Sequence, residues 1–345
     1  MNKYFFVFSL AAIVSFCMTP LAKKIAHKIG AIDVPKDERR VHKKPIPRMG
    51  GLAIFIGFIV SVLKFIPLDG PIKGMLIGGT MIIIMGIMDD MNPLSAKVKL
   101  AGQIMSAAVA VYYGVTIQVL NIPFVDYQLN VEALGLGIPV TIFWIVGITN
   151  TLNLIDGLDG LAAGVATIAA ISLSYVAYFN ESYIAAMITL AIAGSCIGFL
   201  PYNFNPAKIF MGDTGSLFLG YMLAVTSVFG LTKGAVAIAT VVPVLALGLP
   251  IFDTTFAILR RILNGRPIME PDKGHLHHKL LSTGMGQKRT VLILYAISSV
   301  LGVSAALMTR RVSWDLLFIL IAACALMYIS LGMQPYEKQK TSHKE

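Results

Sequence analysis

Charge is scarce in this chain. Only 13% of its 345 residues are Asp, Glu, Lys or Arg, where a soluble domain carries about 25%; 56% are hydrophobic and the mean hydropathy is +0.76. That deficit excludes an ordinary soluble enzyme and defines an integral membrane protein. Cysteine is nearly absent. Cys17, Cys196 and Cys324 lie within apolar stretches at no metal-ligand spacing, so they read as packing residues rather than disulfides or thiolate ligands. There is no Gly-x-x-x-x-Gly-Lys-Ser/Thr run, which argues against ATP in a P-loop. Internal repeats, low-complexity tracts and a soluble domain are missing too.

Apolar length is what the chain has instead. A helical span needs roughly 20 mainly apolar residues. Eleven such stretches lie near 4–21, 50–67, 74–88, 100–116, 137–154, 159–179, 184–200, 214–231, 235–257, 290–308 and 315–333. They are continuous, whereas a membrane β-barrel needs alternating strands. The first resembles a signal peptide but lacks a small-residue cleavage pattern, and is read as a span. With the N-terminus outside, about 22 of the 28 basic residues fall on the inner side. The expectation is therefore a single all-α polytopic membrane domain over 1–345, with about 11 transmembrane helices and a cytoplasmic C-terminus. The net charge of +10 suits anionic lipid headgroups and an anionic substrate equally.

Against this apolar background a few polar motifs stand out. Residues 150–160 read Asn-Thr-Leu-Asn-Leu-Ile-Asp-Gly-Leu-Asp-Gly. Steps of three residues drift by about 60° around a helix, so an intact helix would carry Asn150 and Asp159 on opposite faces. Gly157 and Gly160 permit a break, after which Asn150, Asn153 and Asp156 share a stripe and Asp159 returns from the next segment. Asp89-Asp90 close a span, where the helix dipole disfavours negative charge, so they need a cationic partner. Asp159 and Asp213 each precede a helix; both an N-cap and a ligand role fit them. On the topology above, 22–49, 89–99, 150–159, 201–213 and 258–289 all face the cytoplasm and form one set of active-site loops. Asp253, inside the ninth span, fits either a helix–helix contact or a pocket role.

Aspartate oxygens with asparagine amides suit a hard cation such as magnesium, which keeps waters and substrate phosphates as ligands. Lysine, arginine and histidine suit polyanionic phosphate. His275-Leu276-His277-His278 lacks the partners of a zinc site and reads as solvated loop histidines or as phosphate or nucleotide contacts. Together these point to magnesium-dependent phosphoryl transfer at the membrane surface. The Asp-Gly-x-x-Ala-Arg signature of CDP-alcohol phosphotransferases is not present.

In order along the chain, four motifs resemble the polyprenyl-phosphate N-acetylhexosamine-1-phosphate transferase superfamily: Asp89-Asp90 with Lys97-Val-Lys99; Asn150 through Ala162; Phe210-Met-Gly-Asp213-Thr-Gly-Ser; and His275-Leu-His277-His278. The resemblance runs nearly end to end. Interrupted histidines, Pro250-Ile-Phe-Asp253 with Arg260-Arg261, and the eleventh span look like the WecA/TagO-like branch. That branch implies transfer of GlcNAc-1-phosphate from UDP-GlcNAc to undecaprenyl phosphate, the start of teichoic acid, O-antigen or a similar polymer. The alternatives are the phospho-MurNAc-pentapeptide branch and, in another class, a transporter or flippase, which typically binds near the midplane between repeated halves.

The resemblance also implies roles. Asp213 is the expected magnesium ligand, with manganese as an alternative metal, and Asp156 the second ligand or a pocket residue. Asp89, Asp90, Asp156 and Asp159 are the catalytic carboxylates. Asn150, Asn153, Asn203 and Phe210 line the nucleotide pocket, and His275, His277 and His278 meet the diphosphate. Arg260, Arg261 and Lys43 bind the sugar nucleotide, and Lys97 or Lys99 the lipid phosphate. The expected partners are undecaprenyl phosphate, UDP-GlcNAc and the bilayer, with no nucleic acid; a homodimer is compatible.

Overall fold

A computed structural model describes residues 2–34, 45–122, 127–231, 241–265 and 274–309. In chain order, α1 (Asn2–Ile29) leads through β1 (Ile32–Asp33) and β2 (Ile46–Pro47) to α2 (Gly50–Phe65) and α3 (Gly70–Met91). α4 (Ala96–Tyr112) precedes the hairpin β3 (Val119–Ile122) and β4 (Tyr127–Asn130), followed by α5 (Gly137–Ile155), α6 (Leu161–Phe179) and α7 (Tyr183–Asn203). α8 (Gly212–Leu231), α9 (Val241–Ala246), α10 (Gly248–Leu263), α11 (Leu276–Ser282) and α12 (Gln287–Met308) follow. Both two-stranded sheets are antiparallel.

Six described helices, α1, α3, α5, α6, α7 and α12, are long and apolar enough to cross a membrane. Large apolar side chains such as Phe5, Leu63, Phe143 and Val303 point outward, where lipid covers them without cost. The chain is a predominantly helical, multi-pass membrane protein.

α8 is the axis of the bundle. Phe218, Tyr221 and Met222 are fully enclosed, and α2, α3 and α5 pack around it. A helix apolar on every side belongs in such a central position. Small residues let neighbouring backbones approach, as membrane helices require. At Gly198 of α7, for example, a side chain would overlap the Ala12 carbonyl of α1.

Three boundaries depart from the sequence expectation. α1 continues to Ile29, placing Lys23, Lys24 and Lys28 on a helix, because Ala26 packs with Ala31 and Met49. The described part of the expected ninth span is broken at Leu247 (φ −99°, ψ 16°) into α9 and α10. Pro250 accounts for the break: it has no N–H to donate, and its ring crowds the carbonyl four residues back, at Ala246, where α9 ends. The β3–β4 hairpin was not expected, since four-residue strands are too short to register beside long apolar spans. The eleventh span, 315–333, and the Lys43 site lie outside the described residues.

Candidate active site

Where α3 ends, α8 begins. Asp90 Oδ1 accepts the Asp213 N–H at 3.0 Å, while Oδ2 accepts the Thr214 N–H at 3.1 Å and the Thr214 hydroxyl at 2.6 Å. The first turn of a helix leaves N–H groups without intrahelical partners, and here a carboxylate from another helix satisfies them. Gly212, at φ +71°, admits this approach, because a side chain there would overlap the Asp90 carboxylate. The Asp90 side chain is wholly enclosed. Its catalytic assignment thus meets a structural task that occupies both oxygens.

Two cations balance these carboxylates. Arg48 Nε lies 3.3 Å from Asp90 Oδ1, and Nη2 lies 3.8 Å from Asp213 Oδ1. Backbone pairing puts Arg48 there: the Phe210 N–H donates to the Pro47 carbonyl at 2.8 Å, and the Gly50 N–H to the Phe210 carbonyl at 2.8 Å. Between them Met49 takes φ +83°, a left-handed conformation unusual for a non-glycine residue. Lys99, in the first turn of α4, bridges Asp213 Oδ2 at 2.9 Å and Asp89 Oδ2 at 3.4 Å. Burial opposes the Lys99 charge, but Asp213 and then Asp89 outweigh it and hold its pKa above the ordinary lysine value. Asp89 Oδ1 also accepts the Leu94 N–H at 2.8 Å. Lys97, one of the two expected lysines, is exposed.

The asparagine–aspartate ladder divides by task. Asn150 Nδ2 donates to Gln103 Oε1 at 2.6 Å and its Oδ1 accepts from Gln103 Nε2 at 3.2 Å, locking α5 to α4. Asn153 Nδ2 donates to Ser216 Oγ at 2.8 Å, facing the start of α8. Asp159 Oδ2 accepts from Asn205 Nδ2 at 2.9 Å and from the Ala207 N–H at 3.0 Å. Asn203 is buried, accepting from the Gly160 N–H and donating to the Ile209 carbonyl, each at 3.1 Å. Asp159 and Asn203 therefore tie the ladder to the 203–211 segment, where Phe210 is half-buried.

Asp156 differs. It caps the C-terminal end of α5, is half-buried, and its carboxylate has no hydrogen-bond or ion-pair partner among the described residues. Desolvation first, and the nearby Asp213 charge second, push its pKa up to about 7. The charges of Arg48 and Asp213 are its electrostatic neighbours.

Histidines close the site on the side of the ladder. The His277 ring abuts Gly157, filling the space a side chain there would take. Burial, and then His278, lower the His277 pKa to about 3, so this ring is neutral at physiological pH. His275 is buried on Asp253, while His278 is half-exposed. Arg260 donates to the Gly274 carbonyl at 2.9 Å, and Arg261 is buried near the end of α10.

Arg48 and Gln103 carried no site role in the sequence reading. Arg48 was one of nine basic residues between 22 and 49; only the glycine pair after it hinted at a close backbone contact. Gln103, on an apolar span, had no signal beyond its polarity.

Carboxylates and two cations gather where α3 ends and α8 begins, with buried histidines of the short α11 beside them. Comparison with known proteins narrows the class. Residues 72–231 match Glycosyl transferase family 4. The chain is 44% identical over 325 residues to the probable undecaprenyl-phosphate N-acetylglucosaminyl 1-phosphate transferase of Bacillus subtilis (strain 168), covering 94% of this chain and 89% of that one. It is 37% identical to the decaprenyl-phosphate N-acetylglucosaminephosphotransferase of Mycobacterium tuberculosis, over 86% of this chain and 80% of that protein. Against the phospho-N-acetylmuramoyl-pentapeptide-transferase of Desulforudis audaxviator identity falls to 29%, over 85% of this chain and 94% of the other. The chain belongs to glycosyl transferase family 4.

Proposed function

We propose that this protein transfers GlcNAc-1-phosphate from UDP-GlcNAc to undecaprenyl phosphate and releases UMP, the first lipid-linked step of a cell-surface polysaccharide. The observation that carries the reading is Asp213, held between Arg48 and Lys99 at the N-terminus of α8 and next to the unpartnered Asp156. The two cations flanking Asp213 favour phosphate oxygens. The activities named for the two N-acetylglucosamine-phosphate relatives supply the substrate class.

A lipid-phosphate oxygen attacks the β-phosphorus of UDP-GlcNAc, the bond from that phosphorus to the UMP oxygen breaks, and UMP leaves. The second pKa of a phosphate monoester is about 6, so the nucleophile is already largely dianionic near neutrality. Asp89 is then a positioning group: it holds Lys99, and Lys99 orients the lipid phosphate. Arg48 takes diphosphate oxygens, and His278 reaches the donor from the ladder side.

Asp213 and Asp156 would hold magnesium, or manganese in its place. No three His, Cys, Asp or Glu side chains form a closed metal cage among the described residues. That donor set fits magnesium, which is commonly bound by one or two carboxylates plus substrate phosphates. When bound, the ion supplies charge neutralisation to the diphosphate. The basic bias of the sequence favours an active site facing the cytoplasm.

The test is UMP release by purified protein with undecaprenyl phosphate and magnesium, comparing UDP-GlcNAc with UDP-MurNAc-pentapeptide. The expected result is release with UDP-GlcNAc only, abolished by EDTA and by Asp213→Ala. Release with the pentapeptide substrate alone would move the protein to the peptidoglycan branch.

A further inference from the structure

Asp253 has no part in the chemistry above, yet it is built in tightly. α10 carries Asp253 and Arg260 seven residues apart in sequence, about two helical turns, so both project from one face. Asp253 Oδ2 lies 2.8 Å from His275 Nδ1, and Oδ1 accepts the Leu276 N–H at 2.8 Å. Arg260 Nη1 grips the adjoining Gly274 carbonyl at 2.9 Å. Asp253 and His275 are 3% and 5% exposed, which removes water as a competing partner.

An ionised carboxylate only accepts hydrogen bonds. His275 Nδ1 therefore carries a proton and donates it to Asp253. The His275 ring lies parallel to His277, with centroids 5.7 Å apart and planes 10° apart, and His277 meets His278 at 4.3 Å. His277 abuts Gly157 through Nε2, while its Nδ1 is buried without a hydrogen-bond partner among the described residues. A buried ring nitrogen left in that state points to a ligand that completes it.

We infer that Asp253 is a positioning residue for the sugar-nucleotide donor: through His275 and the ring stack it sets His277 and His278 toward the donor's diphosphate. The inference rests on the donor reading proposed above. Asp253 itself touches no substrate. It acts as the carboxylates behind metal-bound histidines do, fixing tautomer and ring orientation.

Asp253→Asn is the informative change. The carboxamide oxygen still accepts from Leu276, but its NH2 faces His275, so Nδ1 must accept and the proton moves to Nε2. KM for UDP-GlcNAc is expected to rise about tenfold, with kcat and KM for undecaprenyl phosphate within about twofold of wild type. His275→Gln should raise the donor KM alike, and the double variant no further, because the two side chains act as one unit. In protein labelled with 15N-histidine, the Nδ1 resonance identified by its loss in His275→Gln should move from the protonated to the unprotonated range in Asp253→Asn.

A tautomer change with unaltered donor KM overturns the inference. So do additive losses, or equal rises in both substrates' KM, which mark a merely structural role. Should Asp253→Asn fail to fold, an unprotonated Nδ1 in the wild type or an unaltered donor KM in His275→Gln overturns it. Wild-type protein that releases no UMP from UDP-GlcNAc overturns the functional reading itself, whereas an active wild type with an indifferent Asn variant overturns only the role of Asp253.

Discussion

Asp90 and Thr214 are joined twice, through the Thr214 N–H at 3.1 Å and its hydroxyl at 2.6 Å, both to Asp90 Oδ2. The neighbouring Asp89 has none of these bonds and faces Lys99 instead. Two adjacent carboxylates thus have different partners: one caps the start of α8, the other meets Lys99.

Asp90→Ala should therefore act first on stability. It leaves the first N–H groups of α8 and the Thr214 hydroxyl without their acceptor, a loss of about 1–3 kcal/mol, while the partly exposed Arg48 regains water. Thermal unfolding in detergent should show a clear drop in Tm. Asp89→Ala should lower Tm less while cutting UMP release by no more than the loss of Lys99 does, about 10²-fold.

Lys99 and Lys97 are separable by a single assay. Lys99→Met removes the bridge between Asp213 and Asp89 and should cut kcat/KM about 10²-fold, the usual loss for one preorganised electrostatic donor. Lys97→Met, on an exposed side chain, should leave it within about twofold.

For Asp89→Asn the pH profile decides between base and positioning group. The expected loss is the same at pH 7 and pH 9, since the lipid phosphate is already ionised. A loss that shrinks as pH rises would restore Asp89 as the base.

Magnesium affinity should depend on pH through Asp156. Its pKa is raised to about 7, chiefly by desolvation, so the carboxyl is protonated below that value and the metal must compete with a proton. Affinity should weaken by up to tenfold per unit as pH falls below 7 and level off above it. Calorimetric titration with magnesium at pH 6 and pH 8 measures this, and Asp156→Asn should flatten the dependence.

Asn150→Ala should behave as a packing defect. It leaves Gln103 unpaired between α4 and α5 and should cost about 1–3 kcal/mol, with the donor KM unchanged. A selective rise in that KM would return Asn150 to the nucleotide pocket.

Much of this molecule was legible in one dimension. Apolar runs of helical length can only span or be buried, since lipid leaves no other partner for the backbone, so the predominantly helical character followed directly. Asp89, Asp156, Asp213 and the histidines were also visible, because polar groups in such a chain are costly and few. The break at Leu247 was not read from a run that looked continuous, although Pro250 marked it in retrospect.

Roles were another matter. Asp90, Asp159 and Asn150 have the same chemistry as residues that face the site, and spacing alone could not sort them. What sorted them is which partner the tertiary fold brings within hydrogen-bond reach: an α8 N-terminus for Asp90, the 203–211 segment for Asp159, Gln103 for Asn150. Arg48 became a site residue only because β2 and the start of α2 pair with Phe210 and Met211 across more than 150 positions. Composition determined the solvent this protein lives in and the kind of chemistry it can hold, because both depend on residue type. Which carboxylate is free to bind and which is already bonded depends on distances of about 3 Å between remote residues, and folding alone decides those.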